Sequence, residues 1–402
     1  MNVLVINSGS SSIKYELFAM SPERSLLEGE VQRIGESSPS LRQEDRSGDG
    51  PARIDLDVAA PDHGAALEAV IEALGPDLLG ADLVAVGHRV VHGGERFAGP
   101  VIIDDTVVSQ IGELALLAPL HTSANLAGID ATRRLMPDVV QVAVFDTTFH
   151  RTMPERAREY AIPRHFARDH GIRRYGFHGT SHAYVTRRAG ALLGRPVESL
   201  NLITMHLGNG ASATAVRGGA SIDTSMGMTP LEGLVMGTRC GDVDPAVALL
   251  LGELTGHTRE DVHRLLNHES GLAGLCGESD MREVHRLVAQ GDHDADLALE
   301  MFCYRAKKYV GAYYAALGRV DALVFTAGIG ENDAEVRARI CAGLEGLGIE
   351  IAEELNGAAD TGERAIHREG SPVAILVIPT DEELEIARLT LACVNAGEAT
   401  AG

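Results

Sequence analysis

The sequence is poor in positive charge and has almost no lysine. Its 402 residues include 57 acidic and 35 basic side chains, for a formal net charge of −22. Lysine occurs only at positions 14, 307 and 308, so arginine supplies nearly all of the positive charge. Because nucleic acids and acidic membranes select basic faces, this balance argues against both as partners. An anionic substrate would have to be bound by a few local cations.

Long apolar runs and paired cysteines are also missing. No apolar stretch reaches the roughly 20 residues that span a bilayer. The first residues, MNVLVINSGS, predict a strand and not a signal peptide. The five cysteines are scattered and form no CxxC pair, which is typical of reduced side chains. The sequence therefore predicts a cytoplasmic protein that binds no membrane.

Apolar content and length predict two domains with buried cores, since 45% of the 402 residues are apolar. Short β-branched runs such as Val3–Ile6 and Leu202–Met205 alternate with helical patterns such as Gly64–Leu74 and Phe302–Leu317. This alternation predicts α/β layers. Residues 36–62 are rich in Ser, Pro, Gly and Asp and predict an exposed hairpin or loop.

Two segments about half a chain apart share one design. VLVINSGSSS, which begins at Val3, and ITMHLGNGAS, which begins at Ile203, each join an apolar strand to a tight turn and a second strand. Small residues in such turns let backbone N–H groups approach a phosphate. The segments are either related hairpins of two duplicated domains or ordinary hairpins that need glycine, and the pattern alone leaves both open.

Three turns in the chain are suited to phosphate. They are residues 7–12, 206–210 and 326–332. The first turn is followed by Lys14, whose ammonium could contact the β- or γ-phosphate, although the Walker A and protein-kinase motifs are absent. The third turn lies between a buried strand and a helix, where nucleotides often bind. Together the turns favour a nucleotide ligand. The candidate binding residues are Ser10, Ser12, Lys14, His206, Leu207, Gly208, Asn209, Gly210, Gly328, Ile329, Gly330, Glu331 and Asn332.

A series of sequence blocks resembles the acetate kinase family. The blocks run from INSGSSSIKYEL and HRVVHGGERF through YGFHGTSH and DTSMGMTPLEGLVMGTRCGDVDP to FTAGIGEN and IPTDEELEIAR, and they cover nearly the whole chain. The resemblance implies the actin, sugar-kinase and heat-shock-protein superfamily, with two duplicated actin-like (ribonuclease H-like) α/β domains flanking an active-site cleft. We predict an N-terminal domain of residues 1–148, with the C-terminal helix 385–402 packed on it. Residues 149–384 would form the nucleotide-binding and dimerisation domain.

The resemblance also implies a reaction. The γ-phosphoryl group of MgATP would pass reversibly and in line to acetate, giving acetyl phosphate and ADP, in a homodimer that could use Mn²⁺ instead of Mg²⁺. A propionate kinase or other short-chain acid kinase of the same family is the first alternative. A non-catalytic actin-like nucleotide-binding protein is the second, and it is disfavoured because it needs no acid-binding cations such as Arg89 and Arg239.

By resemblance, Arg89 and Arg239 bind the substrate and the transition state. Guanidinium forks fit carboxylate and phosphoryl oxygens, although Arg239 could instead pair structurally with Asp242 or Asp244. The family assigns Asp146 to proton transfer. A short fatty acid is already ionised at neutral pH, so we expect this carboxylate to orient an arginine or hold a metal-bound water.

The remaining site residues are also assigned by resemblance. His178 and Asn209 contact the phosphoryl group; Asn7 and Glu382 hold the metal; Asp280, Met281 and Arg282 lie on the adenosine side; and Val91, Leu120, Phe177 and Pro230 surround the alkyl group of the acid. For Glu382 the alternative is a favourable place at a helix N-terminus, where Thr380 and Glu383 fit a capping box. Asp381, where the family usually has Asn, adds a negative charge beside the proposed metal.

Overall fold

The structure is a computed structural model, and it describes residues 1–9, 11–48, 52–78, 80, 82–116 and 119–401. The chain forms two compact units, one of Met1–Thr148 with Asp381–Gly402 and the other of Phe149–Thr380. The predicted division between residues 384 and 385 lies inside the C-terminal helix, whereas the units divide just before that helix begins.

The first unit contains an eight-stranded sheet. Its strands are β1 Asn2–Ser8, β2 Ser12–Met20, β3 Glu23–Gln32, β4 Ser40–Asp45, β5 Ala52–Asp57, β6 Leu83–Val90, β7 Val101–Ile102 and β8 Val140–Phe145. Its helices before residue 149 are α1 His63–Leu78, α2 Asp105–Glu113 and α3 Pro119–Leu135.

The second unit contains a six-stranded sheet and most of the helices. Its strands are β9 Asn201–Leu207, β10 Ala211–Arg217, β11 Ala220–Thr224, β12 Ala322–Thr326, β13 Arg364–Ala365 and β14 Ala374–Val377. Its helices are α4 Glu155–Arg158, α5 His165–His170, α6 Gly179–Leu192, α7 Pro245–Thr255, α8 Arg259–His268, α9 Gly271–Cys276, α10 Met281–Ala289, α11 His293–Leu317, α12 Ala327–Asn332, α13 Ala334–Cys341 and α14 Glu353–Asn356. The last helix, α15 Glu382–Ala401, belongs to the first unit.

The two sheets repeat one strand order. In the first sheet the order is β5-β4-β3-β2-β1-β6-β8-β7, and in the second it is β11-β10-β9-β12-β14-β13. Strands β1, β6 and β8 are parallel, as are β9, β12 and β14, while hairpins extend each sheet on the other side. Both predicted phosphate-type hairpins are present, as β1–β2 and β9–β10, and residues 36–62 contain the hairpin β4–β5. The repeat confirms the duplicated actin-like fold.

Helices cover both faces of the central strands, which explains why those strands are apolar on both sides. In the first unit, Val3 and Val5 pack against Ile386 of α15, while Leu4 packs in the cluster that α1 and α3 complete. Helix α15 approaches β6 closely, since a β-carbon at Gly87 would lie 2.3 Å from the Thr390 hydroxyl. Only glycine fits at that crossing.

The N-terminus of α15 differs from the prediction. Asp381 is the N-cap residue, because its carboxylate accepts the Leu384 backbone N–H at 2.8 Å. Thr380 instead donates its hydroxyl to Ser181 at 2.9 Å and its backbone N–H to the Glu331 carboxylate at 3.1 Å. The predicted capping box is wrong because these contacts engage Thr380 elsewhere.

Candidate active site

Three parallel strands of the first unit bring polar side chains together. Asn7 lies near the end of β1, Arg89 near the end of β6, and Asp146 directly after β8. Side chains alternate along a strand, so these three share the face of Val5 and Val144 that α15 covers. Since the ends of parallel strands meet at one edge, the sequence pattern itself places the three side chains together.

The Arg89 guanidinium is held on three sides. Its Nε and Nη2 donate to the two Asp146 carboxylate oxygens at 3.1 and 2.5 Å, and its Nη1 donates to Asn7 Oδ1 at 3.2 Å. Burial alone would lower the pKa of Arg89, but the charges of Asp146 and Glu382 raise it above its ordinary value. Asp146 is 1% exposed and therefore fixes the plane of a permanently charged fork.

The loops that follow β1 and β6 are tied together by one amide. Asn125 donates its side-chain N–H to the Ser8 carbonyl at 3.0 Å and accepts the Val91 backbone N–H at 3.2 Å. Val91 is buried. Two predicted residues of this unit, Ser10 and the side chain of Leu120, lie outside the described residues.

In the second unit, three predicted residues converge at a glycine turn. A β-carbon at Gly210 would lie 3.0 Å from Arg239 Nη2 and 3.5 Å from His178 Nε2. A β-carbon at Gly237 would lie 1.9 Å from Asn209 Oδ1. The two glycines therefore make room for a guanidinium, an imidazole and an amide, which are hydrogen-bond donors suited to an anion.

Arg239 is a partly buried cation that pairs with no carboxylate of the described residues. Its Nη1 donates to the Pro230 carbonyl at 2.7 Å, and within the described ranges no acidic side chain forms an ion pair with it. Burial alone lowers the pKa of Arg239 from its ordinary value. A guanidinium in this state is stabilised by an anionic ligand.

The acidic neighbours of Arg239 in the sequence are engaged elsewhere. Asp242 lies 3.4 Å from Arg305 Nη1 and accepts the Tyr309 hydroxyl at 2.9 Å. Asp244 is the N-cap of α7 and accepts the Ala246 backbone N–H at 2.9 Å. The alternative of a structural pair with either aspartate is therefore wrong.

His178 adopts a strained backbone conformation just before α6. Its φ is +56°, and Ala327, the first residue of α12, has a φ of +64°. Left-handed conformations cost residues with a β-carbon about 1–2 kcal/mol and cluster at functional sites. The His178 ring stacks on His206, with 4.1 Å between ring centroids. The strain and the stacking aim the ring towards Gly210.

A pocket of about 1100 Å³ in the second unit collects residues from three separate segments. Predicted residues that line it are Gly208, Asn209, Asp280, Met281, Arg282, Gly328, Ile329 and Asn332. Residues missed from the sequence are Ser279, His285, Val288, Ala289, Asp333, Ala334 and Glu335. Positions 281, 285 and 288 share one face of α10, and this helical spacing could have indicated them. The pocket is large enough for a nucleoside with phosphates.

Other predicted nucleotide residues do not line this pocket. Lys14 is exposed and lines a separate pocket of about 360 Å³ in the first unit. The Leu207 side chain is buried, and the Glu331 carboxylate accepts the Thr380 backbone N–H. The remaining predicted residues of these turns, Ser12, His206, Gly210 and Gly330, are likewise absent from the pocket lining.

The first unit contains carboxylate and amide oxygens that could bind the predicted metal. Asn7 Oδ1 and the Glu382 carboxylate are hard oxygen donors, which suit Mg²⁺. Beside them, carboxylate oxygens of Glu16, Asp381 and Glu383 lie within 4.8 Å of one another. Burial, together with the neighbouring carboxylates, raises the pKa of Glu16 to about 8. This cluster contains neither Asn7 nor Glu382, so the fit of these two residues to Mg²⁺ is one of donor chemistry.

The two sheets define an actin-like protein, and comparison with known proteins narrows the class. Residues 2–388 match the sequence model described as the Acetokinase family. An acetate kinase of Streptomyces griseus is 54% identical over 98% of this chain and 96% of its own length. The chain therefore belongs to the acetokinase family.

Solved structures agree with this assignment. A crystal structure of Porphyromonas gingivalis acetate kinase has a TM-score of 0.91 and 43% identity, covering 98% of this chain and 99% of that one. A propionate kinase from Francisella tularensis has a TM-score of 0.91 and 41% identity, covering 97% and 99%. Within the part of the chain that the structure describes, no helix has the length and apolar character needed to cross a membrane.

Proposed function

We propose that the chain is an acetate kinase, which transfers the γ-phosphoryl group of MgATP reversibly and directly to the carboxylate of acetate. The observation that carries the proposal is Arg239, a partly buried guanidinium that pairs with no carboxylate among the described residues and lies beside His178 and Asn209 at one glycine turn. Phosphoryl transfer needs such donors around the moving group more than it needs covalent help from the protein. Curated relatives named acetate kinase support the choice of acid.

Each cluster has a distinct task in this reaction. Arg239, His178 and Asn209 donate to the oxygens of the transferring phosphoryl group. Asp146 accepts two hydrogen bonds from the Arg89 guanidinium and so fixes its orientation. In that orientation the guanidinium binds the carboxylate of acetate or a phosphoryl oxygen. No general base is required, because the acid is ionised at neutral pH.

Magnesium is the second component of the proposal. Asn7 and Glu382 would hold it, with waters and phosphate oxygens completing its shell. When bound, the ion neutralises phosphate charge. The support is the donor set itself, an amide oxygen and a carboxylate next to the Arg89 cluster.

Trapping of the acyl phosphate with hydroxylamine tests the proposed activity. Purified protein is incubated with MgATP and acetate, propionate or butyrate, and hydroxamate is measured while ADP binding is followed separately. We expect hydroxamate from acetate with the highest kcat/KM. Binding of ADP without hydroxamate from any short acid would favour a non-catalytic actin-like protein.

A propionate kinase is the second candidate, because the solved propionate kinase matches the fold as well as the acetate kinase does. The buried Val91 favours the smaller acid. One methylene is worth only about 1–3 kcal/mol, so we expect propionate to be a poorer but measurable substrate. A higher kcat/KM for propionate than for acetate would reverse the assignment.

We also propose a homodimer that uses an apolar face of the second unit. Helix α7 buries none of its residues, and its Leu249 and Leu254 are 72% and 79% exposed. On α11, Leu297, Met301 and Tyr304 are exposed at helical spacing, which gives an apolar stripe of the kind that a second copy covers.

Sedimentation measures this assembly. Leu249→Glu combined with Leu254→Glu should yield monomers, whereas Leu192→Glu, at an exposed leucine of α6, should leave the dimer intact. A double variant that remains dimeric would refute the chosen face. A cytoplasmic location completes the proposal, and the five free cysteines support it.

A further inference from the structure

A chain of buried hydroxyls and imidazoles lies behind His178. Thr204 Oγ1 is 2.7 Å from His182 Nδ1, His182 Nε2 is 2.8 Å from Ser212 Oγ, and Ser212 Oγ is 2.9 Å from His178 Nδ1. Thr204, His182 and Ser212 are each 0% exposed. With no solvent at these atoms, their protons must be shared among the four side chains.

Thr204 sets the direction of this chain. In the described parts of the protein, the only hydrogen-bond partner of its hydroxyl is His182 Nδ1. A hydroxyl has one proton, and a buried proton without an acceptor costs about as much as a lost hydrogen bond. Thr204 therefore donates to His182, and Nδ1 of that ring carries no proton.

His182 and Ser212 donate their hydrogen bonds in the same direction, towards His178. Burial, and to a smaller extent His150 and His206, holds the pKa of His182 well below its ordinary value, so its ring is neutral and keeps its single proton on Nε2. That N–H donates to Ser212 Oγ. Ser212 must in turn give its own proton to His178, since its hydroxyl contacts these two rings alone among the described side chains.

We propose that Thr204, His182 and Ser212 are positioning residues that hold neutral His178 with its proton on Nε2. That nitrogen belongs to the ring edge nearest Gly210, since a β-carbon there would lie 3.5 Å from both His178 Nε2 and Cε1 and 3.0 Å from Arg239 Nη2. The imidazole then meets a phosphoryl oxygen as a hydrogen-bond donor and not as a repelling lone pair. This last step rests on the proposed function, whereas the proton positions do not.

Nitrogen NMR of the full-length protein tests the proton positions directly. Long-range ¹H–¹⁵N spectra of ¹⁵N-histidine-labelled protein distinguish a protonated from a bare ring nitrogen, and His178→Gln and His182→Gln identify the two rings. We expect both His178 and His182 to carry their proton on Nε2. A proton on Nδ1 of either ring in the unsubstituted protein would overturn the proposal, whatever the activity.

Removing the Thr204 and Ser212 hydroxyls tests whether the hydrogen bonds that end at His178 affect catalysis. Thr204→Val and Ser212→Ala should each yield a mixture of His178 tautomers and a kcat lower by about fivefold, the effect of one hydrogen bond, with little change in KM for ATP. Thr186→Val is the matched control. Its hydroxyl is also buried, lies on α6 and has no hydrogen-bond partner within the described ranges, so tautomers and kcat should not change.

The outcomes separate the two proposals. Unchanged tautomers and kcat in both Thr204→Val and Ser212→Ala would overturn the positioning role. Normal turnover in His178→Gln, with the expected spectrum in the unsubstituted protein, would leave the proton chain standing and remove His178 from the proposed reaction. Should a variant fail to fold, the spectrum of the unsubstituted protein still decides the proton positions.

Discussion

Replacing Asp146 should lower turnover through Arg89 and not through loss of a base. The Asp146 carboxylate accepts two hydrogen bonds from the Arg89 guanidinium, whose third donor reaches Asn7. In Asp146→Asn, the amide keeps one acceptor oxygen and directs N–H groups at a cation. The guanidinium plane would then turn away from the orientation in which it meets a carboxylate or phosphoryl oxygen.

The expected magnitudes follow from this geometry. Loss of one charged donor to a transition state costs about 3–4 kcal/mol, or about 10²–10³-fold in kcat, so Arg89→Ala should lose that much. Asp146→Asn should lose about 10- to 100-fold, because the charge remains but its plane is not fixed. The double variant should fall no more than about threefold below Arg89→Ala, since the carboxylate acts through the guanidinium.

The assay is hydroxamate formation from acetate, with kcat and KM measured for the unsubstituted protein, both single variants and the double variant. Asp105→Asn is the control, because it removes a 95% exposed carboxylate from a surface pair with Arg133 and should leave kcat unchanged. Additive losses in the double variant would refute the reasoning. So would a pH–rate profile that loses its acidic limb only in Asp146→Asn, as expected for a general base.

Gly237→Ala should remove most turnover with little loss of stability, because its β-carbon would displace the exposed Asn209 side chain. Gly311→Ala, at a helical glycine with open space, is the control, and an unchanged kcat in Gly237→Ala would count against the role of Asn209. Acid should also remove the stability that two buried histidines contribute. Burial lowers the pKa of His88 and of His150 from 6.5 to about 4, so below pH 6.5 the unfolded chain binds protons that the folded chain does not. Each histidine should lower the free energy of unfolding by about 2 kcal/mol between pH 7 and pH 5, and Glu16, with its pKa raised to about 8, opposes this fall. Glu16→Gln removes the opposing group, and a urea midpoint for that variant that is equal at pH 7 and pH 5 would contradict the effect of the histidines.

Much of the fold is readable from the sequence because it depends on local pattern. The β-branched runs that begin at Val3 and Leu202 became central strands, and the glycine turns after them became hairpins. Helix α11 begins earlier than predicted, at His293, because Asp292 accepts the Ala295 N–H as N-cap. The acidic residues in its first turn interrupt the apolar repeat from which the helix was predicted.

Tertiary contacts account for what the sequence pattern missed. Thr380 and Asp381 are both good N-cap residues, and contacts of Thr380 with distant side chains decided between them. Thr204 and Ser212 occupy buried strand positions that resemble core packing, so nothing local indicates that they bind a histidine ring. Site residues at strand ends are predictable from alternation, whereas the groups that orient them depend on which elements pack together.

Arg239, a partly buried positive charge, is the central group of the proposed active site. The most direct measurement compares hydroxamate formation and ADP binding in Arg239→Ala with those in the unsubstituted protein, using Arg133→Ala as a surface control. The kcat should fall by about 10²–10³-fold while the Kd for ADP changes little, and added guanidinium should restore part of the turnover. Near-normal turnover in Arg239→Ala would contradict the account.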